Sequence, residues 1–344
     1  MNNVIEYKCP NCGGIIEFNS STQSMRCPYC DSEFSIKDFD FKDESLNWKF
    51  DEGYGLYRCD SCGAEIIADD NAVSLHCPYC DNPVILTDSL SGELKPDYVI
   101  PFQLDKESAK KALAEHFKDK KLLPKVFSQE NHLDEIKGIY VPFWLFDTDV
   151  NVSAAYEMKN TRLWSDSRFQ YTETNIYNGS RAGILSFERV PVDGSEKMDN
   201  NMMESIEPFD YSQLIPFKTA YLSGYFADKY DVKSDETIDR IRQRVFASAS
   251  DQLDSTVNGY DSVSKISQSA FMANTKIKYA LLPVWMLSTS WNNKRYIFAM
   301  NGQTGKFVGD LPIDKKLSFK YRLLYTLIFG AGLSVISYLF GNFF

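Results

Sequence analysis

Hydrophobic and polar positions change their period several times along the chain. In the run DKESAKKALAEHFKDKK, Ala109, Ala112, Leu113 and Phe117 recur at helical spacing, and Asp105 stands where an N-cap belongs. A second helix is predicted from Ser234 to about Leu253, with Ile238, Ile241, Val245, Ala249 and Leu253 aligned. Around these helices the period falls to two, as in Val150, Val152, Ala154 and Tyr156, or Tyr296, Phe298 and Met300. Asn301-Gly302 and Thr304-Gly305 then mark a hairpin turn. Tyr140-Val-Pro-Phe-Trp144 and Leu281-Leu-Pro-Val-Trp285 rhyme, and each is expected to follow a helix and open a strand, its Trp anchoring the core. Residues 96–312 therefore read as an α+β domain with antiparallel sheet, preceded by a linker at 89–95.

The pattern ends in an uncharged run, LLYTLIFGAGLSVISYLFGNFF, from Leu323 to Phe344. About 20 mostly apolar residues cross a hydrocarbon core, so a single transmembrane helix is expected over 321–342, with residues 323–342 in the lipid bilayer. Lys315, Lys316, Lys320 and Arg322 precede it and nothing basic follows, which predicts a single-pass protein of the cell membrane with its N-terminal body in the cytoplasm. Gly330 and Ser334 form a small-xxx-small pair that would allow close helix contact.

The first 80 residues follow a different rule. All eight cysteines lie there in C-x-x-C pairs: Cys9/Cys12, Cys27/Cys30, Cys59/Cys62 and Cys77/Cys80. Shifted by 50, the first four fall on the last four, and YKCPNCGG resembles YRCDSCGA as RCPYCDS resembles HCPYCDN. One small unit is used twice, over residues 1–45 and 46–88. Each copy separates its pairs by 14 residues, within one residue of a zinc-ribbon spacing. Two thiolates two residues apart wrap one side of a tetrahedral Zn²⁺, and a second pair closes it. The residue after each pair is Gly13, Asp31, Gly63 or Asp81, types that tolerate the left-handed turn such a knuckle needs. Two structural zinc ions are expected, each held by four cysteines of one copy; an interleaved arrangement would use the same eight ligands. The start MNNVIEYK is no secretory signal, which disfavours disulfides. His76, beside Cys77, reads as a strand residue because four cysteines already fill that site.

Charge adds one distinction. The 344 residues carry 47 acids against 37 Lys plus Arg, a net charge of −10, and residues 1–88 hold 16 acids against 6 bases. The excess sits on the cysteine module, so phosphate backbones should be repelled rather than held. The composition excludes disordered, collagen-like and small disulfide-scaffold proteins.

Catalytic chemistry is not legible. Gly302-Gln-Thr-Gly305-Lys306 resembles a phosphate loop, but Met300 stands where its first Gly belongs and Phe307 follows the Lys. His116 reads as the edge of a buried helix face, and neither it nor His132 has a motif partner. Asp147 and Asp149 could be a hydrolase pair or solvated charges; Arg240, Arg242 and Arg244 read as an exposed helix edge. No small-molecule substrate site stands out, and the expectation is a non-enzyme.

The ordered set of CPNCGG, CPYCDS, Ile100-Pro-Phe102, YVPFW, LLPVW and NGQTGK, ending in the hydrophobic segment, resembles the bacterial membrane-anchored proteins with transcription-factor-IIB-type zinc ribbons. The resemblance implies two small metal-stabilised β ribbons, an α+β body and a membrane tail, with protein partners in membrane-associated assemblies of the phage-shock or flotillin-like type. Some such proteins carry a primosomal-helicase label, whose motor motifs are absent here. This chain departs from single-ribbon relatives in its duplication and in Asp60, where the other knuckles carry Pro. The expected function is a membrane-anchored, cytosol-facing adaptor; the alternative is a tethered nucleic-acid-binding protein of replication or transcription.

Overall fold

The computed structural model describes residues 4–39, 55–59, 61–62, 65–68, 71–77, 82–86, 94–118, 120–128 and 135–341. The protein is built mainly from β-strands, and three of them are very long: β10 (Lys137–Ser165), β11 (Gln170–Asp193) and β14 (Ser262–Trp291). They lie antiparallel with β10 in the middle, β11 on one edge and β14 on the other. Near its start β10 also pairs with β13 (Phe226–Asp228) in parallel. Beyond β14 come β15 (Lys294–Asn301) and β16 (Phe307–Gly309).

The rhyming segments face each other in this ladder. Tyr140 stands opposite Pro283, Pro142 opposite Leu281 and Trp144 opposite Tyr279. Both faces of this stretch are covered, which is why it reads as a continuous apolar run rather than an alternation. Tyr140, Trp144 and Phe146 join one core, and Val141, Phe143 and Leu145 the other. The indoles are core anchors, Trp144 Nε1 donating to Val232 O at 2.9 Å and Trp285 Nε1 to Leu104 O at 3.1 Å. LLPVW, however, lies deep within β14 instead of opening it.

Among the described residues four α-helices pack on or extend from the sheet. Asp105 caps α1 (Lys106–Lys118), its Oδ1 accepting from Ser108 N at 2.8 Å, and α1 lays Leu113 and Phe117 on the first core. The short α2 (Asn200–Ser205) covers the second core with Met203. The helix predicted from Ser234 begins at Ile238: α3 (Ile238–Asp254) buries Ile241, Val245, Ala249 and Leu253 against the first core, which also holds Val150 and Val152 of β10. Asn301–Lys306 makes the expected hairpin turn, Gly305 adopting a φ of +78°.

Two expectations are overturned. The balance is not α+β but mainly β: β11 and the distal part of β14 carry Ser, Thr and Asn on faces left to solvent, so no apolar alternation announced their length. Nor is a transmembrane helix at 321–342 supported. Among the described residues no helix is long and apolar enough to cross a membrane. Helix α4 (Lys315–Gly341) opens with Lys315, Lys316, Lys320 and Arg322, which place four positive charges in its first eight residues. The single-pass placement in the cell membrane and the bilayer contact of residues 323–342 lose their structural basis with it.

The cysteine units are joined to this body. The first unit forms a sheet of β2 (Glu17–Asn19), β3 (Ser24–Arg26) and β4 (Glu33–Phe34). It docks on the loop before β13 through Phe18 N to Ser223 O at 3.0 Å, Ser223 Oγ to Ile16 O at 2.8 Å and the Tyr7–Thr219 hydroxyl pair at 2.5 Å. In the second unit β5 (Gly55–Arg58) pairs with β6 (Glu65–Ala68), while β7 (Ala72–His76) and β8 (Pro83–Leu86) continue the main sheet through β13. His76 is the last residue of β7 and packs edge-on against Phe226. The N-terminal β1 (Val4–Ile5) closes that end on β8.

Candidate metal centres

Each cysteine unit brings its pairs together by the same backbone device. In the first knuckle Gly13 N donates to Cys9 O and Cys9 N to Gly14 O; in the second, Asp31 N donates to Cys27 O and Cys27 N to Ser32 O. These turns need a left-handed residue, and Gly13 and Asp31 supply it at φ +76° and +56°. Cys77 N repeats the pattern with Asn82 O at 2.9 Å. Gly63, Cys80, Asp81 and His132 lie outside the described residues.

The first centre gathers Cys9, Cys12, Cys27 and Cys30, with all four sulfurs within 4.8 Å of one another; Cys59, Cys62 and Cys77 gather in the same way. Sulfurs bound about 2.3 Å from a tetrahedral zinc stand ~3.8 Å apart. The separations are 3.6 Å for Cys9–Cys30, 3.5 Å for Cys12–Cys27 and 3.8 Å for Cys62–Cys77. The cysteines of one copy meet each other, which is the non-interleaved arrangement. In each centre the first cysteine of every described pair is buried and the second is exposed.

Thiols this close cannot all ionise without a cation. Hydrogen bonding from the Ser32 side chain and backbone draws Cys30 down to about 6. Against a lowering contact from the Gly14 backbone, neighbouring Cys30 and Cys27 push Cys12 up to about 12. Such a split is relieved by a divalent ion shared among the sulfurs. In the first centre four sulfurs at tetrahedral spacing are a donor set that suits zinc. The two groups could hold metal ions.

One contributor escaped the sequence reading. Glu6 accepts from Ser61 Oγ at 2.7 Å and from Ser61 N at 3.2 Å, and Cys59 Sγ lies 3.5 Å from the same carboxylate. It orients the third knuckle from 53 residues away in sequence. No local spacing signals this; only the pairing of β1 with β8 brings Glu6 there.

Other candidate residues resolve into structure. Asp147 and Asp149 pin backbone bulges, Asp147 Oδ1 accepting from Arg189 N at 2.7 Å. Arg240 and Arg244 are not a free helix edge: Arg240 reaches Asp193 at 2.7 Å and Glu204 at 3.2 Å, and Arg244 grips Glu207; Arg242 is exposed and pairs with Asp239. His116 packs against Phe307 with its pKa lowered by burial and by Lys120. Lys306 Nζ bonds Glu207 O, so the phosphate-loop lookalike is a tied turn.

No family model and no solved structure matches the chain. Among curated proteins, the uncharacterised protein YdjG of Bacillus subtilis (strain 168) is 41% identical over 312 residues, covering 91% of each chain. The chain belongs to the YdjG family. The match spans nearly the full length, so the YdjG relationship covers cysteine units and body together.

Proposed function

We propose that this protein is a non-enzymatic zinc-ribbon adaptor. Its cysteine centres are two structural zinc ribbons of transcription-factor-IIB type, and its long β-arm is the surface that binds protein partners. The observation carrying this reading is the outer face of the arm made by β10, β11 and β14. There Ile184 is 69% and Phe271 61% exposed, flanking Asn151 in the same cross-strand row, with Ile176 exposed further out. Large apolar side chains on a polar, Ser- and Thr-rich sheet face mark a contact surface. The distal edges of β11 and β14 also pair with no other described strand, leaving backbone donors and acceptors open to an added strand. The ribbons contribute rigidity: ribbon and body share one core, so the metal braces the base from which the arm projects.

A photoreactive amino acid placed at Ile184 or Phe271 in the full chain tests this in host cells. Discrete protein adducts are expected from the arm positions and none from Lys118 on α1. The reading fails if the arm yields no adduct, or the same ones as the control position.

A further inference from the structure

Where the first ribbon meets the body, a cleft of about 380 Å³ opens between β2, the second knuckle and the start of α1. That volume lies in the range of small-ligand sites. Glu17, Asp31 and Asp105 line it together with Arg26, which Asp31 engages at 2.8 Å. Phe18 and Tyr225 form its aromatic wall, and Tyr225 is fixed by stacking on Phe102 at 4.2 Å and 10°.

The polar atoms converge and chiefly accept. Burial holds the Tyr225 hydroxyl up at about 12; Ser20 beside it acts the other way, and the Asp105 and Glu17 carboxylates add to the rise. Ser20 is buried, only 3% exposed, and its Oγ, although next to that hydroxyl, has no hydrogen-bond partner of normal geometry. A buried hydroxyl without a partner of normal geometry can accept from a donor brought from outside. Carboxylates, a free hydroxyl acceptor and aromatic faces together suit a cation that is rich in N–H groups.

We propose that this cleft binds one alkylguanidinium or alkylammonium group, seated over Phe18 and Tyr225 and donating to Glu17, Asp105 and Ser20. The site exists only when the ribbon is docked, because Glu17, Asp105 and Tyr225 come from separate parts of the chain.

Calorimetric titration of the full-length, metal-loaded protein with butylguanidinium, butylamine and the neutral isostere butylurea tests the proposal. Either cation should bind about tenfold or more tighter than the urea. Asp105→Asn keeps the helix cap, since Asn caps as well as Asp, and should weaken the cations about tenfold, as should Glu17→Gln. An end-blocked Gly-Arg-Gly peptide separates the sources of the group. Tighter binding of the peptide than of butylguanidinium assigns a partner's side chain, and the reverse assigns a free small molecule. Cations that bind no better than butylurea, fail to saturate by ~10 mM, or bind both variants unchanged overturn the site.

Discussion

Asn274 Nδ2 donates to Asp149 Oδ2 at 2.8 Å, from a strand that has just gained an extra residue. On the other side Ser186 Oγ donates to the same carboxylate at 2.6 Å. Both partner strands of β10 bulge at this level, β11 at Arg189 (φ +52°) and β14 at Asn274 (φ +54°). Asp147 and Asp149 hold the two bulges, which lie between the part of the sheet buried on both faces and the arm.

Asp149 should therefore leave a mark on acid stability. Its carboxyl is held below the usual 3.8 by Asn274 and then Ser186. The unfolded carboxyl titrates near 3.8, so this contribution is complete above that pH and fades as pH falls through the lower folded value. Asp149→Asn is expected to be least stable relative to wild type near neutrality, the gap narrowing below about pH 4. Urea midpoints measured from pH 3 to 7 check this; a gap constant with pH contradicts it.

Arg244 donates to Glu207 at 3.0 and 2.7 Å and to Pro191 O at 2.5 Å, tying α3 to the segment after α2 and to the end of β11. Burial raises Glu207 despite Arg244, so the carboxylate depends on its partner. Arg244→Met should cost about 3 kcal/mol, the lower end for breaking a buried pair because both groups keep some solvent contact. A loss under about 1 kcal/mol in chemical denaturation would show that solvent replaces the guanidinium.

Metal analysis is expected to give about two zinc ions per chain, and about one in Cys9→Ser. Chelation should melt the first ribbon, since a structural zinc supplies on the order of 10 kcal/mol to a unit of this size. The Tyr7–Thr219 contact should open with it, making Tyr7 accessible to modification while the β10–β14 ladder stays protected in hydrogen exchange. A metal content near zero, or a ribbon unmoved by chelation, removes the zinc assignment.

Gly302 offers a test of packing. A Cβ there would stand 2.6 Å from Phe102 Cε1 and 2.9 Å from Pro283 Cβ. Gly302→Ala should destabilise by roughly 1–3 kcal/mol through overpacking. Phe102→Leu in the same chain should recover part of the loss. Equal stability of the single variant and wild type in thermal melts would mean that the ring has room to shift.

The sequence by itself determined what depends on neighbours along the chain. Cys9, Cys12, Gly13, Cys27, Cys30 and Asp31 carry the sulfurs and the turn geometry within a few residues, so the gathering of the first four cysteines was legible. The same holds for Asp105 as a cap, for the buried stripe of α3 and for the turn after Asn301, each set by a local period or a local backbone need. Tertiary structure alone decided the rest. β11 and distal β14 show no apolar alternation because solvent bathes them, and distal β14 gains its strand character from pairing with β10 more than 100 residues away. The roles of Asp149, Arg244 and Glu6 are likewise set by partners 37 or more residues away, which no local pattern encodes. So too the uncharged run from Leu323 suggested a span, while among the described residues no helix is long and apolar enough to cross a membrane. Periodicity reports which face of an element is buried; it is silent where the covering group is distant or absent.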